Sequence, residues 1–283
     1  MADKKHSHKS SYYNDIALRL SHQLFGVEHL HYGFFEKGKK PTLQNMPSAQ
    51  DAYVKNLMKY LPSGIKRIFD VGCGTGGVAT ELVKRKYDVT CLAPDPYLIE
   101  KTLTNTKNKV KGIVDLYENL DPATSGLGTF DMVLMSESCQ YIKINEGWDQ
   151  NVAFLRPGGY VMVADFFRVR ELDRPGLSKS GHPLESYLAA AESHGFVLKK
   201  KVDITKFVSP TMDLYQETIT QKIFPVFGAI FEIIQRRYPW TYKVLRKLLG
   251  KKVAKLHQKY SNQGADVFSH YKAYLILVFQ KKK

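Results

Sequence analysis

Cysteine is scarce: Cys73, Cys91 and Cys139 are the three in 283 residues, and they show neither a CxxC word nor Cys/His ligand spacing. A disulfide framework and a structural zinc site are therefore not expected, and each cysteine, set in an apolar or glycine-rich strand end, reads as a small buried side chain in a reducing compartment. No run of 18 uninterrupted apolar residues exists, and residues 1–11 are polar, with His and Lys and no apolar core. Neither a transmembrane helix nor a signal peptide is expected, which points to a cytoplasmic protein. Repeats, low-complexity tracts and any serine or cysteine triad pattern are also lacking, and no metal is expected. Acid is in short supply as well. The 42 Lys and Arg outweigh 27 Asp and Glu to give a formal charge of +15, which favours an anionic partner: nucleic acid, a phospholipid surface or a phosphorylated substrate.

What is present is enough for a full core, since 43% of residues are hydrophobic, and the length suits one large α/β domain with insertions. Residues 1–11 read as a disordered tail and 12–60 as an N-terminal helical lid. Within the lid, a helix over 12–24 precedes a stretch rich in His and aromatics at 26–33, and a second helix spans 48–60 with Ser48 as its N-cap and Pro62 beyond its end. Residues 61–283 form the main domain. Short apolar runs near 67–71, 88–92, 112–116, 130–135, 158–165 and 196–202 alternate with helical stretches near 76–86, 96–107, 146–154 and 183–194, the signal for βαβ units and a parallel sheet. A last strand covers 271–279. A helical insertion at 211–260 precedes it.

The first strand runs into Asp70-Val71-Gly72-Cys73-Gly74-Thr75-Gly76-Gly77. Glycines suit a turn that a ligand must approach closely, and the helix that follows offers unpaired N–H groups to a carboxylate. The loop formally matches GxGxxG, so a dinucleotide is a competing ligand. Asp70 argues against it: a carboxylate there repels a pyrophosphate and attracts the ammonium of a methionine moiety.

Taken in order, Asp70 to Gly77, then Phe130-Asp131-Met132-Val133-Leu134-Met135-Ser136-Glu137-Ser138, then Leu155-Arg156-Pro157-Gly158-Gly159-Tyr160-Val161-Met162-Val163-Ala164-Asp165 resemble the consecutive motifs of class I S-adenosylmethionine-dependent methyltransferases. The resemblance covers about 50–205 and the last strand. It implies an α/β, Rossmann-like, doubly wound seven-stranded sheet with an antiparallel last strand, and S-adenosylmethionine as cofactor. Tyr12-Tyr13, His31-Tyr32-Gly33 and Ser136-Glu137-Ser138 are similar to the branch that holds sterol, tocopherol, cyclopropane-fatty-acid and prenyl-diphosphate C-methyltransferases. By that resemblance, Asp70, Gly72, Cys73, Gly74, Gly76, Ser136 and Glu137 are candidate cofactor contacts. Relatives place an acid at the end of the second strand for the ribose hydroxyls, and Ala93 stands there in this chain. Asp95 either replaces it or caps the helix that begins at Pro96. Near the third strand's end, Leu116 or Tyr117 is expected to pack on the adenine, and Asp115 to Glu118 to supply a carboxylate for its amine.

Methyl transfer from a sulfonium is an in-line displacement, so the protein supplies positioning, water exclusion and, where the acceptor needs it, a base. Glu137, at a strand end facing the ligand side of an open sheet, is the first candidate for that base. His31, the side chain best tuned to exchange a proton near neutral pH, follows, and Tyr13 and Tyr141 are candidates for orienting substrate through their hydroxyls or for packing in the lid. The acceptor is expected to be small and partly apolar, lipid-like, prenyl-type or phosphorylated. Residues 236–259 join a basic face, without a single acid, to an apolar stripe. That fits a solvated core helix, a lid over the acceptor, or a helix on an anionic membrane. A nucleic-acid modifier would show a base-flipping word or a separate binding module, and neither occurs. A protein that binds the cofactor at a membrane without transferring methyl is the remaining alternative.

Overall fold

The computed structural model of the chain describes residues 22–23, 26–27, 29, 31–173, 177–261 and 264–283. The expected tail at 1–11, most of the expected helix at 12–24, and Tyr13 lie outside the described residues. Seven strands, β1 (Arg67–Val71), β2 (Asp88–Ala93), β3 (Lys111–Val114), β4 (Phe130–Ser136), β5 (Leu155–Arg168), β6 (Phe196–Asp203) and β7 (Lys272–Lys281), form one sheet in the order β3-β2-β1-β4-β5-β7-β6. β1 to β5 are parallel, and β7 runs antiparallel between β5 and β6. The doubly wound sheet with an antiparallel last strand is therefore present. From β1 the chain winds outward through β2 and β3, then returns to place β4 on β1's other side. That reversal leaves a crevice at the carboxyl ends of β1 and β4, where open α/β sheets take their ligands.

Alternation along the central strands sorts the core into two layers. Ile68, Cys91, Leu134, Met162 and Ile276 pack on one face against Tyr53 and Leu57 of α1 (Met46–Met58) and Ala79 and Leu82 of α2 (Gly77–Lys84). Phe69, Val133, Val163 and Leu277 fill the other face beneath Trp148 and Phe154 of α4 (Ile144–Phe154), α3 (Pro96–Asn105) having been passed between β2 and β3. Asp70 shares a face with Ile68. It thus projects into an apolar layer.

Element ends depart from expectation where local chemistry intervenes. α1 starts two residues early, at Met46, because Pro47 is tolerated in a first turn; Ser48 is not its N-cap, and its hydroxyl donates to Asn45 O at 2.9 Å. β3 stops at Val114, before Asp115, whose carboxylate accepts from Leu116 N at 2.8 Å and turns the chain. α5 (Leu184–Ser193) precedes β6. The helical insertion runs through α6 (Thr205–Val208), α7 (Pro210–Glu217), a π-helical turn (Thr218–Ile223), α8 (Phe224–Arg237) and α9 (Pro239–Ser261) to α10 (Ala265–Tyr271).

Candidate active site

The loop after β1 uses its glycines for more than ligand access. Gly72 has φ +79°, and a Cβ there would lie 2.3 Å from Ser138 Cβ, so this glycine lets the β1 loop close against the β4 loop. The expected reason, room for a ligand, holds in geometry at Gly74, which has φ +57° and open space where a Cβ would point. A Cβ on Gly76 would meet Thr102 at 3.0 Å, and one on Gly77 would meet the His29 ring. Cys73 is buried with its sulfur 3.5 Å from Thr102 Oγ1, so its side chain faces the protein interior and only its backbone lines the loop. Gly72→Ala is expected to cost about 3 kcal/mol, from a left-handed non-glycine residue plus an overpacked contact. Gly74→Ala carries only the first cost, about 1 kcal/mol. Denaturant midpoints of the two variants, compared side by side, check this difference.

Asp70 is 1% exposed and its Oδ2 has no hydrogen-bond partner among the described residues. Its register neighbours are Cys91 and Leu134, and burial pushes its carboxyl up to about 7. A buried carboxyl oxygen left unsatisfied immediately before a loop that is open at Gly74 fits a cationic ligand group such as an ammonium, and it does not fit a pyrophosphate. The ribose position is different. Ala93 ends β2 buried, and Asp95, fully buried, is engaged as the N-cap of α3, accepting from Tyr97 N at 3.0 Å. The capping contact is therefore present. Of the two candidates for the adenine wall, Leu116 is 44% exposed, whereas Tyr117 is turned into the core by a 3-10 turn. Its ring stacks on Phe154 and its hydroxyl donates to Asn151 Oδ1 at 3.0 Å, which leaves Leu116 the accessible one of the two.

At the end of β4, Glu137 adopts φ +57°, a left-handed conformation that a non-glycine residue keeps only where its surroundings hold it. Its N–H donates to Ala164 O at 2.8 Å. Its Oε1 accepts from Tyr32 N at 2.9 Å and from the Tyr274 hydroxyl at 2.7 Å. Tyr53 OH lies 2.8 Å from Tyr274 OH and 2.9 Å from Ser136 Oγ. Each hydroxyl has one proton, and Tyr274 spends its proton on Glu137. Donation therefore runs from Ser136 to Tyr53 to Tyr274 to Glu137. Burial pushes the Glu137 carboxyl up to about 8 against the opposing bonds from Tyr32 and Tyr274, with the neighbouring Asp165 adding to the rise. Burial, and then Glu137 itself, push both phenols well above their usual range, so they remain neutral donors. Asp165, also fully buried, is held by Phe166 N at 2.8 Å and by Cys139 and Gln140, and burial pushes it up to about 6.

His31 sits beside this network, its ring stacked between His29 at 5.2 Å and Tyr53 at 4.7 Å. Nδ1 is 2.9 Å from Tyr32 O and must donate to it, which leaves Nε2 a lone-pair acceptor, buried and without a partner among the described residues. Burial, and then the adjacent His29, lower its pKa to about 3. So placed, the ring is a neutral imidazole whose Nε2 can accept a hydrogen bond. Gln50 of α1 fixes this segment, its amide donating to His29 O at 2.9 Å and His31 O at 2.6 Å. Tyr141 is 80% exposed above the crevice. Next to Tyr32 lies a cavity of about 160 Å³ walled by Phe166, Met212, Phe268, Tyr271 and Lys272. Tyr53, Tyr274 and Asp165 were not singled out from the sequence. The one available signal was Tyr274 itself, a phenol at the head of the unbroken apolar run 274–279, where a buried hydroxyl needs a partner.

A methyltransferase domain model matches residues 69–161. Among sequence relatives, norajmaline N-methyltransferase of Rauvolfia serpentina is 23% identical over 59% of this chain and 60% of its own length. An uncharacterised methyltransferase of Mycobacterium tuberculosis is 24% identical over 53% and 62%. The chain thus spans about three fifths of the length of these relatives. The [4+2]-cyclase SpnF superposes with a TM-score of 0.69 at 19% identity, covering 98% of this chain and 96% of that one. Geranyl diphosphate C-methyltransferase from Streptomyces coelicolor A3(2), solved with Mg2+, geranyl diphosphate and S-adenosyl-L-homocysteine, gives 0.61 at 14%, covering 95% and 97%. The match at 69–161 and this strand order show a methyltransferase domain within a Rossmann-like fold that the superposed structures share.

Proposed function

We propose that this protein moves the methyl group of S-adenosylmethionine onto a small, partly apolar acceptor of lipid or prenyl type. The observation that carries this reading is a pairing at one switch point: a buried carboxyl, Asp70, at the end of β1, whose Oδ2 has no partner among the described residues, and a tyrosine-held carboxyl, Glu137, after β4. The bound cofactor supplies an electrophilic methyl. Asp70 draws the cationic end of the ligand toward the glycine loop, Gly74 leaves it space, and Leu116 covers the base. Glu137 receives the acceptor's proton, while Tyr32, Tyr53 and Tyr274 hold the carboxyl in place and keep water from it. His31 Nε2 accepts a hydrogen bond from the acceptor or the lid.

The walls of the neighbouring cavity, Tyr32, Phe166, Met212 and Phe268, suit an apolar group. Its volume of about 160 Å³ is below the roughly 300 Å³ at which ligand pockets begin, so it seats one end of an acceptor. Lys272, whose Nζ lies 4.7 Å over the Phe166 ring and donates to Ser180, gives that end a buried cation suited to a phosphorylated head. The geranyl diphosphate C-methyltransferase that shares this fold was solved with an acceptor of that kind, which supports the reading. The fold by itself does not compel methyl transfer, since a [4+2]-cyclase shares it. The test is incubation with methyl-labelled S-adenosylmethionine and a panel of prenyl diphosphates, phenols and fatty-acyl acceptors. Labelled product with stoichiometric S-adenosylhomocysteine is expected. Tight cofactor binding without S-adenosylhomocysteine from any acceptor would overturn methyl transfer in favour of a non-transferring role.

A further inference from the structure

The hairpin of α8 and α9 stands apart from the core. α8 buries none of its residues, and Val226, Ile230 and Ile233, spaced i, i+4, i+7 along one side of it, are each about half exposed or more. The hairpin's base is fixed, with Phe224 and His257 rings 4.9 Å apart and Gln216 Nε2 donating to Ser261 O at 2.7 Å. From that base, 14 residues of α8 at ~1.5 Å each carry the tip about 20 Å outward. The tip is apolar and aromatic: Ile233 is 63% exposed, Tyr238 56% and Trp240 77%. Around it stand Arg236, Arg237 and Lys243, and farther along α9 the exposed Leu248 alternates with Lys247, Lys251 and Lys255.

We propose that this tip docks on an anionic phospholipid bilayer. Nine Lys and Arg over 224–261 face one acid, Glu232, and that acid is spent on Arg236 at 2.5 Å, so the hairpin holds more than half of the chain's excess of 15 positive charges. Exposed Trp and Tyr at a tip ringed by cations match the interfacial zone of a membrane, where amphipathic rings sit at the headgroups and basic side chains meet acidic lipids. A second copy of the chain is a poor occupant, because two surfaces of this charge repel. Nucleic acid answers the charge but leaves the Ile and Val strip in water. Docking stays peripheral: no helix among the described residues is long and apolar enough to cross a membrane. The inference is independent of the acceptor's identity.

The test is co-sedimentation of the full chain with phosphatidylcholine vesicles, with and without phosphatidylglycerol, alongside the variants Trp240→Ser and Ile233→Ser. Trp148 is buried in the core, so a blue shift of the emission reports Trp240. Expected results are at least tenfold tighter binding to the anionic vesicles, a blue shift, and about tenfold loss in the double variant at an unchanged melting temperature. No binding overturns the proposal, as does binding indifferent to the tip variants and displaced by polyuridylate, which would assign the surface to nucleic acid. Tip-dependent dimerisation on gel filtration without vesicle binding would assign it to a second copy.

Discussion

Asp70→Asn is expected to weaken S-adenosylmethionine binding by about 10- to 100-fold, the worth of a hydrogen bond to a charged group at roughly 1.5–3 kcal/mol, and at the same time to raise the protein's stability at pH 8. The opposite signs follow from one fact, the burial that lifts this carboxyl from 3.8 to about 7. In the ligand-free fold its charged form is disfavoured, so its contribution to stability is fully present below pH 4 and is lost as pH rises through about 7. The asparagine has no charge to bury and escapes that loss. A cationic ligand favours the ionised form, so below pH 7 binding must expel a proton. The affinity of the natural chain should therefore climb up to tenfold per pH unit between 6 and 7 and flatten above 8, while Asp70→Asn shows no such slope. Calorimetry across that range, paired with thermal melts, checks both halves. A variant that lost affinity and stability together would make Asp70 a structural residue.

Asp70 and Glu137 were legible because each breaks an apolar strand at its carboxyl end, where a parallel sheet leaves side chains facing the crevice. The strands themselves could be read for a similar reason: central parallel strands are buried on both faces and appear as short unbroken apolar runs, as Ile68-Phe69 and Met132-Val133-Leu134-Met135 do. Three things resisted. Tyr53 and Tyr274 are 221 residues apart and meet only through the packing of α1 on β7, so no local pattern announces their contact. Tyr117 looks as available as Leu116 until a short 3-10 turn sends one inward and the other out. His31 reads as a proton carrier from its residue type, and only the burial of its ring against Tyr53 and His29 makes it neutral. In each case tertiary environment, which one sequence does not display, set the side chain's role.

Glu137→Gln should lower kcat by 100-fold or more, the usual worth of a positioned base, with little change in affinity for the cofactor. The amide is a close probe because its oxygen accepts the same bonds from Tyr32 N and the Tyr274 hydroxyl, so the left-handed backbone at Glu137 and the hydroxyl chain behind it stay in place. What disappears is the capacity to take a proton. A carboxyl held at about 8 is mostly protonated at neutral pH, so kcat of the natural enzyme is expected to rise tenfold per pH unit up to about 8 and then level off. Tyr274→Phe removes a bond that favours the ionised carboxylate, moving the rising limb to higher pH while leaving the plateau nearly unchanged. A merely structural Tyr274 would instead lower the plateau without moving the limb. If Glu137→Gln kept full kcat with the same pH limb, the acceptor would carry no proton for this site to remove. The carboxyl's part would then be confined to holding Tyr32 and the lid over the reacting methyl.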